Sequence, residues 1–502
     1  MDAAPRRGNN NKRRRSRTQG LEDSFEEFVS DEEGGGGGGG DDDDGKNGLV
    51  GVVAGLAGSG GLVGLHGSSG SSLVSSARAR VLSSPPLSTL LASSISPALV
   101  FELSSREKRA RRATMTTHHF ACQLPMFMPV GTQGSVKGLT ALDLENARVQ
   151  LILGNTYHLE QRPGSALIET MGGLHNFVSW KRAMLTDSGG FQMVSLSDLL
   201  EVSEHAVTFQ DPATGNTTTL TPEHCMQVQN RIGADIMMAL DDVVSSTAND
   251  PKRYEEATYR TTRWLKRCIA AHKRTDRQSL FGIVQGGLDL ALRRKSCEEL
   301  VPLNLPGYAV GGLSGGEDKA NFWRCVDASL ELLPENKPRY VMGVGYPVDI
   351  VVCVALGADM FDCVYPTRTA RFGTAMVSSG LLKLRSRSFA NDMRPIEAGC
   401  DCATCKRYTR AYLHTIVTRE PVASSLVSVH NVRYMMRLME QIREAIENNR
   451  FEAFVQQFMR KQFPRVRAND DYAVPYEKME EDGRAPVWVR EALAKAGIAL
   501  KS

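Results

Sequence analysis

Leu280-Phe281-Gly282-Ile283-Val284 is an unbroken apolar run that stops on Gln285-Gly286-Gly287. A strand covered on both faces reads this way, because neither face meets water. The same phrase recurs along the chain. Val149-Gln150-Leu151-Ile152-Leu153 runs into Gly154-Asn155-Thr156, and Ala183-Met184-Leu185-Thr186 into Asp187-Ser188-Gly189-Gly190. Ile236-Met237-Met238-Ala239-Leu240 leads to Asp241-Asp242, and Tyr308-Ala309-Val310 to Gly311-Gly312-Leu313. Tyr340-Val341-Met342 leads to Gly343-Val344-Gly345, and Met360-Phe361 to Asp362-Cys363. Helical stretches, among them 253–271 and 319–333, lie between these runs. So many βα units predict an α/β fold of the (β/α)8 (TIM) barrel type. An open doubly wound sheet is the alternative, but no Gly-x-Gly-x-x-Gly opens a helix after the first strand.

In such a barrel the C-terminal strand ends form the rim of the active site. Here they carry Asp187, Asp241, Gln285, Gly311, Gly312 and Asp362. Burying these groups unpaired is costly, and a substrate pocket at the rim gives a reason to collect them there. A carboxylate pair such as Asp187 and Asp362 suits cleavage at an anomeric carbon: one attacks, and another group handles the proton. Helix capping or ion pairing is the plainer use of an aspartate at a strand end. Asp241 and Gln285 complement the Watson–Crick edge of guanine, a carboxylate for its N–H groups and an amide for its carbonyl, and Gly311-Gly312 allows close backbone approach. The same two side chains would equally satisfy backbone groups. Arg368 and Arg371, soon after Asp362, point to a phosphate-bearing substrate.

The rhythm breaks after Phe372. Residues 374–387 read as antiparallel strands turning at Ser378-Ser379-Gly380, with Lys383, Arg385 and Arg387 on one face by period two. By itself that face reads as a charged edge that blocks aggregation. Cys400, Cys402 and Cys405 then crowd into one short run, and His430 follows. Three thiolates and an imidazole close a tetrahedral zinc shell with no place for water, so a structural Zn2+ is expected, one per chain. Free thiols beside a surface histidine are the alternative. Val432, Met435, Met436, Met439, Ile442 and Ile446 make an apolar helical stripe, which is read as core.

The chain has 502 residues and a formal net charge of +3, mildly basic and only a weak pointer to nucleic acid. The remaining cysteines are scattered singly, as in a reducing compartment. No apolar run is long enough for a transmembrane segment. Residues 1–115 differ from the rest: a basic cluster at 12–17, the glycine run Gly34–Gly40, Asp41–Asp44 and a basic segment at 106–112. We read them as a disordered low-complexity extension. The cluster at 12–17 fits a nuclear-localisation patch or a solvated tail, and the acidic residues and glycine run argue against a transit peptide. Met115 offers an alternative start. The barrel domain is expected over 116–463, with the zinc-binding subdomain at about 374–435 and a C-terminal tail over 464–502.

Taken together, these stretches resemble the tRNA-guanine transglycosylase family, in its eukaryotic catalytic form. The resemblance runs from about residue 118 to the C-terminus. It includes Phe127-Met128-Pro129-Val130-Gly131-Thr132, Gly154-Asn155-Thr156-Tyr157-His158-Leu159, Leu185 through Gln192, Ile283-Val284-Gln285-Gly286-Gly287, Gly311 through Glu317 and Phe361 through Arg368. It implies base exchange in tRNA with a GUN anticodon, with guanine leaving and queuine entering. Asp362 would be the nucleophile and Asp187 the general acid/base. Asp241, Gln285, Gly311, Gly312, Leu313 and Ser188 would hold the base, Phe191 and Met342 would sandwich it, and Asn155 would hold Asp187. Val243 and Gly315 would line the end that meets queuine's bulky substituent, the missing side chain at Gly315 making room. Arg368, Arg371, Lys383, Arg385 and Arg387 would meet tRNA. The resemblance further implies a heterodimer with a related non-catalytic accessory subunit, and a cytoplasmic protein that associates with the mitochondrial outer membrane surface. The other function class is that accessory subunit itself, a tRNA-binding protein without catalysis. It would be expected to lack the intact Asp187 and Asp362 motifs that stand here. An ordinary retaining glycosidase is a third reading, disfavoured by the guanine-shaped Asp241/Gln285 pair.

Overall fold

The strand phrases assemble as eight parallel strands. The computed structural model describes residues 98–190, 200–210, 215–417, 419–464, 473 and 484–500. In chain order the strands are β1 (Val100–Glu107), β2 (Ala110–Thr116), β3 (Ala121–Leu124), β4 (Met126–Pro129), β5 (Leu151–Gly154), β6 (Ala183–Thr186), β7 (Leu200–Val202), β8 (Val207–Gln210) and β9 (Thr217–Leu220). They continue with β10 (Ile236–Met238), β11 (Ser279–Val284), β12 (Gly307–Val310), β13 (Arg339–Val341), β14 (Met360–Cys363), β15 (Thr374–Val377) and β16 (Gly380–Lys383). One sheet runs β4-β14-β13-β12-β11-β10-β6-β5. Its two edges meet through the parallel bridge Val130↔Leu153 and a Gly131 N–H to Leu153 carbonyl bond of 2.7 Å, which closes the barrel. Seven of the eight strands follow the apolar phrases. The eighth, β4, is short and ends at Pro129, so its apolar signal is cut off.

Alternation along each strand divides the core. Met126, Met128, Leu151, Leu153, Leu185, Ile236, Met238, Phe281, Ile283 and Met360 fill the interior. Phe127, Ile152, Met184, Met237, Leu280, Tyr308 and Phe361 face the surrounding helices. Two buried faces explain why these strands read as continuous rather than alternating runs. The stripe Val432–Ile446 is buried on the long helix Pro421–Glu447, as its spacing predicts.

Residues 98–115 correct the expected disordered extension. β1 and β2 form an antiparallel hairpin continued by β3, and Ala113, Met115, Cys122 and Leu124 plug the interior cluster. The plug is tied to the residues that precede two barrel strands. The Arg111 guanidinium forms a buried ion pair with Asp359 and donates to the Glu335 carbonyl at 2.7 Å. Asp235 accepts from the His119 N–H at 3.0 Å and the Met184 N–H at 2.9 Å, and meets His119 Nδ1 at 2.9 Å and His175 Nε2 at 3.2 Å. The run of bases that looked solvated is thus neutralised by carboxylates more than two hundred residues away, which local composition does not register. Residues 1–97 lie outside the described residues.

The tail is anchored by the helix Val487–Lys495, whose Trp488, Val489 and Leu493 join the outer core. Among the described residues no helix is long and apolar enough to cross a membrane.

Candidate active site and metal centre

The rim carboxylates are each held by donors from a neighbouring strand end. Asp187 follows β6, and Asn155 and Thr156 follow β5, its partner in the sheet. The Asn155 amide donates to Asp187 Oδ2 at 2.5 Å, and the Thr156 N–H to Oδ1 at 2.8 Å. The Thr156 hydroxyl donates to the Asp187 carbonyl at 2.6 Å. Asp187 is only 8% exposed, so its orientation is fixed from below by this pair.

Asp362 sits within β14. The Tyr340 hydroxyl, from adjacent β13, donates to its Oδ1 at 2.5 Å, and the Gly343 N–H donates to the same oxygen at 2.8 Å. Asp362 keeps a partly open face, yet desolvation pushes its pKa above the usual carboxylate range, with the Gly343 and Tyr340 hydrogen bonds working the other way. The Tyr340 phenol is raised well above its ordinary value, first by burial, then by Asp362 and also by Asp187. Both carboxylates therefore act electrostatically on one buried phenol.

Asp241 follows β10 and is 5% exposed. It accepts from Gln285 Nε2 at 2.7 Å and from the Ser188 hydroxyl at 3.1 Å. Burial pushes its pKa up to about 6, against the pull of those two donors. Asp242, next in sequence, does something different: Arg253 donates to it at 2.8 and 2.5 Å and Arg260 at 2.6 Å, which makes it a structural carboxylate under the loop. Gln285 lies against Gly312, which has φ +65°. A Cβ there would run into Gln285 Oε1, so only glycine fits. Met342 packs half-buried on the interior cluster, its sulfur 3.5 Å from where a Cβ on Gly311 would lie. Leu313 and Val243 are half-buried. Phe191 lies outside the described residues.

A protein-family profile described as Queuine tRNA-ribosyltransferase matches residues 105–464. The chain belongs to this family. It is 51% identical over 371 residues to the queuine tRNA-ribosyltransferase catalytic subunit of Schizosaccharomyces pombe, covering 72% of this chain and 92% of the relative. It is 48% identical over 402 residues to the catalytic subunit of Caenorhabditis elegans, with 80% and 99% covered. The queuine tRNA-ribosyltransferase of Thermus thermophilus is 46% identical over 399 residues, with 79% and 98% covered.

This member of the queuine tRNA-ribosyltransferase family also brings its three clustered cysteines to one histidine. Cys400 and Cys402 Sγ lie 3.7 Å from His430 Nδ1, and Cys405 Sγ lies 3.2 Å from it. Ordinary zinc–sulfur and zinc–nitrogen bonds in a tetrahedron set that edge at about 3.6 Å. His430 Nε2 sits 2.7 Å from the Met376 carbonyl. The hydrogen bond there requires the proton on Nε2, which leaves Nδ1 free as a ligand. The four residues fit a metal ion on geometry and on donor chemistry.

Two expectations change. β16 stops at Lys383, the chain turns through a Ser386 N–H to Lys383 carbonyl bond, and Arg387 begins a 3-10 turn. Lys383, Arg385 and Arg387 are all exposed; buried Leu382 and Leu384 keep the alternation through Arg385, and only Arg387 falls beyond it. Among the described residues Arg371, Lys383, Arg385 and Arg387 have no carboxylate partner, and Arg368 lowers the pKa of Arg371, after burial. At Gly315 a built Cβ meets the Ser246 hydroxyl at 2.7 Å, and that hydroxyl donates to Glu317 at 2.7 Å. Ser246 therefore excludes a side chain at 315, and its absence does not by itself measure room for a bulkier base.

The sequence reading missed three donors, Tyr340, Thr156 and the Gly343 N–H. Tyr340 was visible only as a strand residue, and its signal was a hydroxyl on the interior face. Thr156 stood inside a recognised motif, but only the structure shows its N–H and hydroxyl both turned on Asp187.

Proposed function

We propose that this chain is the catalytic subunit of a tRNA base-exchange enzyme, replacing guanine at the wobble position of GUN anticodons with queuine. The observation that carries this is the pairing at the rim: two carboxylates, each oriented by donors from a neighbouring strand, beside an Asp241–Gln285–Gly312 edge. Asp362 is the nucleophile. Its carboxylate oxygen bonds to C1′ of the wobble ribose as the C1′–N9 electron pair leaves with guanine. Asp187, held by Asn155 and Thr156, takes the proton of the incoming base as that base's nitrogen attacks C1′ and frees Asp362. Asp241, Ser188, Gln285, Gly311, Gly312 and Leu313 hold the base, with Phe191 and Met342 on its faces. The exchange replaces one glycosidic bond by another, so it needs no energy source.

Val243 and Gly315 border queuine's substituent, and queuine as the incoming base rests on the family, since Ser246 accounts for the glycine. Arg368, Arg371, Lys383, Arg385 and Arg387 take tRNA phosphates, which supply the anions that four of them lack. Cys400, Cys402, Cys405 and His430 hold one structural zinc, which cross-links the subdomain at about 374–435. The working enzyme is a heterodimer with a related non-catalytic subunit, in the cytoplasm and at the mitochondrial outer surface.

The test is displacement of labelled guanine from a GUN tRNA by queuine, with the accessory subunit present. Wild type should exchange and Asp362→Ala should not. Absence of exchange by wild type would return the chain to the accessory role, and equal exchange by both would discard Asp362 as nucleophile.

A further inference from the structure

Beneath the base-binding edge lies a buried charge that no carboxylate among the described residues pairs with. Arg293, on the helix Leu290–Leu300, is fully buried. Its Nε donates to the Gly287 carbonyl at 2.7 Å and one Nη to the Gly311 carbonyl at 3.0 Å. Among the described residues its other Nη has no nitrogen or oxygen acceptor, only the Cys325 thiol being near, and no carboxylate lies within ion-pair distance. Burial lowers its pKa, an effect partly offset by the nearby Cys325 and, more weakly, by the more distant Glu317 carboxylate. A desolvated cation without an ion-pair partner is costly, and a neutral donor would tie the two loops as well.

The peptide that Arg293 grips explains the cost. The Gly311 carbonyl and the Gly312 N–H belong to the same amide, and among the described residues nothing accepts that N–H. A cation bound to the carbonyl end of an amide strengthens its N–H as a donor. We propose that Arg293 is a positioning residue for base exchange: it fixes and polarises the Gly311–Gly312 peptide so that the Gly312 N–H binds the carbonyl oxygen of guanine and supports the negative charge the base takes up on leaving. This rests on the base-exchange reading. As Asp362 bonds to C1′, the electron pair of the broken bond moves into the purine, partly onto its oxygen, until a proton arrives. The buried cation thus finds its counter-charge in the transition state, the arrangement in which fixed dipoles act most strongly.

The test uses the full-length chain with the accessory subunit, as wild type, Arg293→Lys and Arg293→Gln, each checked for melting temperature and zinc content. Exchange kinetics and equilibrium binding of guanine and of 2-aminopurine, which lacks the oxygen, are measured. Arg293→Gln should lose about 10²-fold in kcat, the scale of one lost oxyanion donor. The KM for tRNA should be unchanged, and the preference for guanine over 2-aminopurine should shrink. Arg293→Lys should recover part of both, and it carries the comparison if Arg293→Gln does not fold. Full kcat in either variant, or a lost rate with the guanine preference intact, overturns the proposal. No exchange by wild type, or equal exchange by Asp362→Ala, would instead overturn the parent reading, whatever Arg293 does.

Discussion

Replacing Tyr340 with phenylalanine isolates one hydrogen bond on Asp362, the proposed nucleophile. The hydroxyl donates to Asp362 Oδ1 at 2.5 Å from a side chain with no exposed surface, and Phe fills the same interior position. A hydrogen bond to a charged group contributes about 1.5–3 kcal/mol. At 1.36 kcal/mol per unit, its loss should raise the Asp362 pKa by about 1–2 units. The sign follows from the opposing effects at Asp362: burial already raises its pKa, the Tyr340 and Gly343 donors lower it, and removing one leaves burial less opposed. Attack requires the ionised carboxylate, so the acid limb of the kcat profile should move to higher pH by that amount. Well above the limb the variant should approach the wild-type rate, since the Gly343 N–H still orients the same oxygen. Guanine exchange from about pH 5 to 9 reads this directly. An acid limb that stays in place while the rate falls uniformly would refute the tuning role and leave Tyr340 as packing.

Three further predictions follow from other parts of the site. Asp241 has a folded pKa of about 6 against an ordinary value of 3.8, so its ionised form costs roughly 3 kcal/mol at neutral pH, and this penalty is relieved as pH falls through 6 toward 4. Asp241→Asn should therefore abolish guanine binding while melting no lower than wild type at pH 7.5, and wild-type guanine affinity should weaken as pH falls through about 6; calorimetry checks both. Chelation of the metal, or Cys405→Ser, should release one zinc per chain and lower the melting temperature, because His430 and Met376 then lose the cross-link between the zinc run and β15. Charge neutralisation of Lys383, Arg385 and Arg387 together should weaken tRNA binding and flatten its salt dependence by about one unit of slope for each phosphate no longer neutralised; a salt slope equal to wild type would show that these bases stay in solvent.

How far the sequence carried the account depended on whether a feature was local. Strands β11 and β6 were legible because both their faces are buried, so burial wrote itself as an apolar run. The ends of those runs showed where Asp187, Asp241, Gln285 and Asp362 would gather. The candidate metal ligands were legible because three of the four stand within six residues of one another. The N-terminal plug was not, since Arg111 meets Asp359 only in the folded barrel and looks like any solvated base in the chain. The same holds for Arg293, whose two carbonyl partners come from different strand ends. For Lys383 and Arg385 the period-two pattern matches the alternation with buried Leu382 and Leu384, whereas Arg387 falls in the 3-10 turn that follows.

The central claim is that Asp362 carries the ribose during exchange. Rapid denaturing quench of wild type with GUN tRNA, in the presence of the accessory subunit and without an incoming base, tests it most directly. The account predicts a protein–RNA adduct that survives denaturation, disappears on addition of queuine and is absent in Asp362→Asn. An adduct of equal yield in Asp362→Asn, or steady exchange with no adduct at any time point, would contradict it.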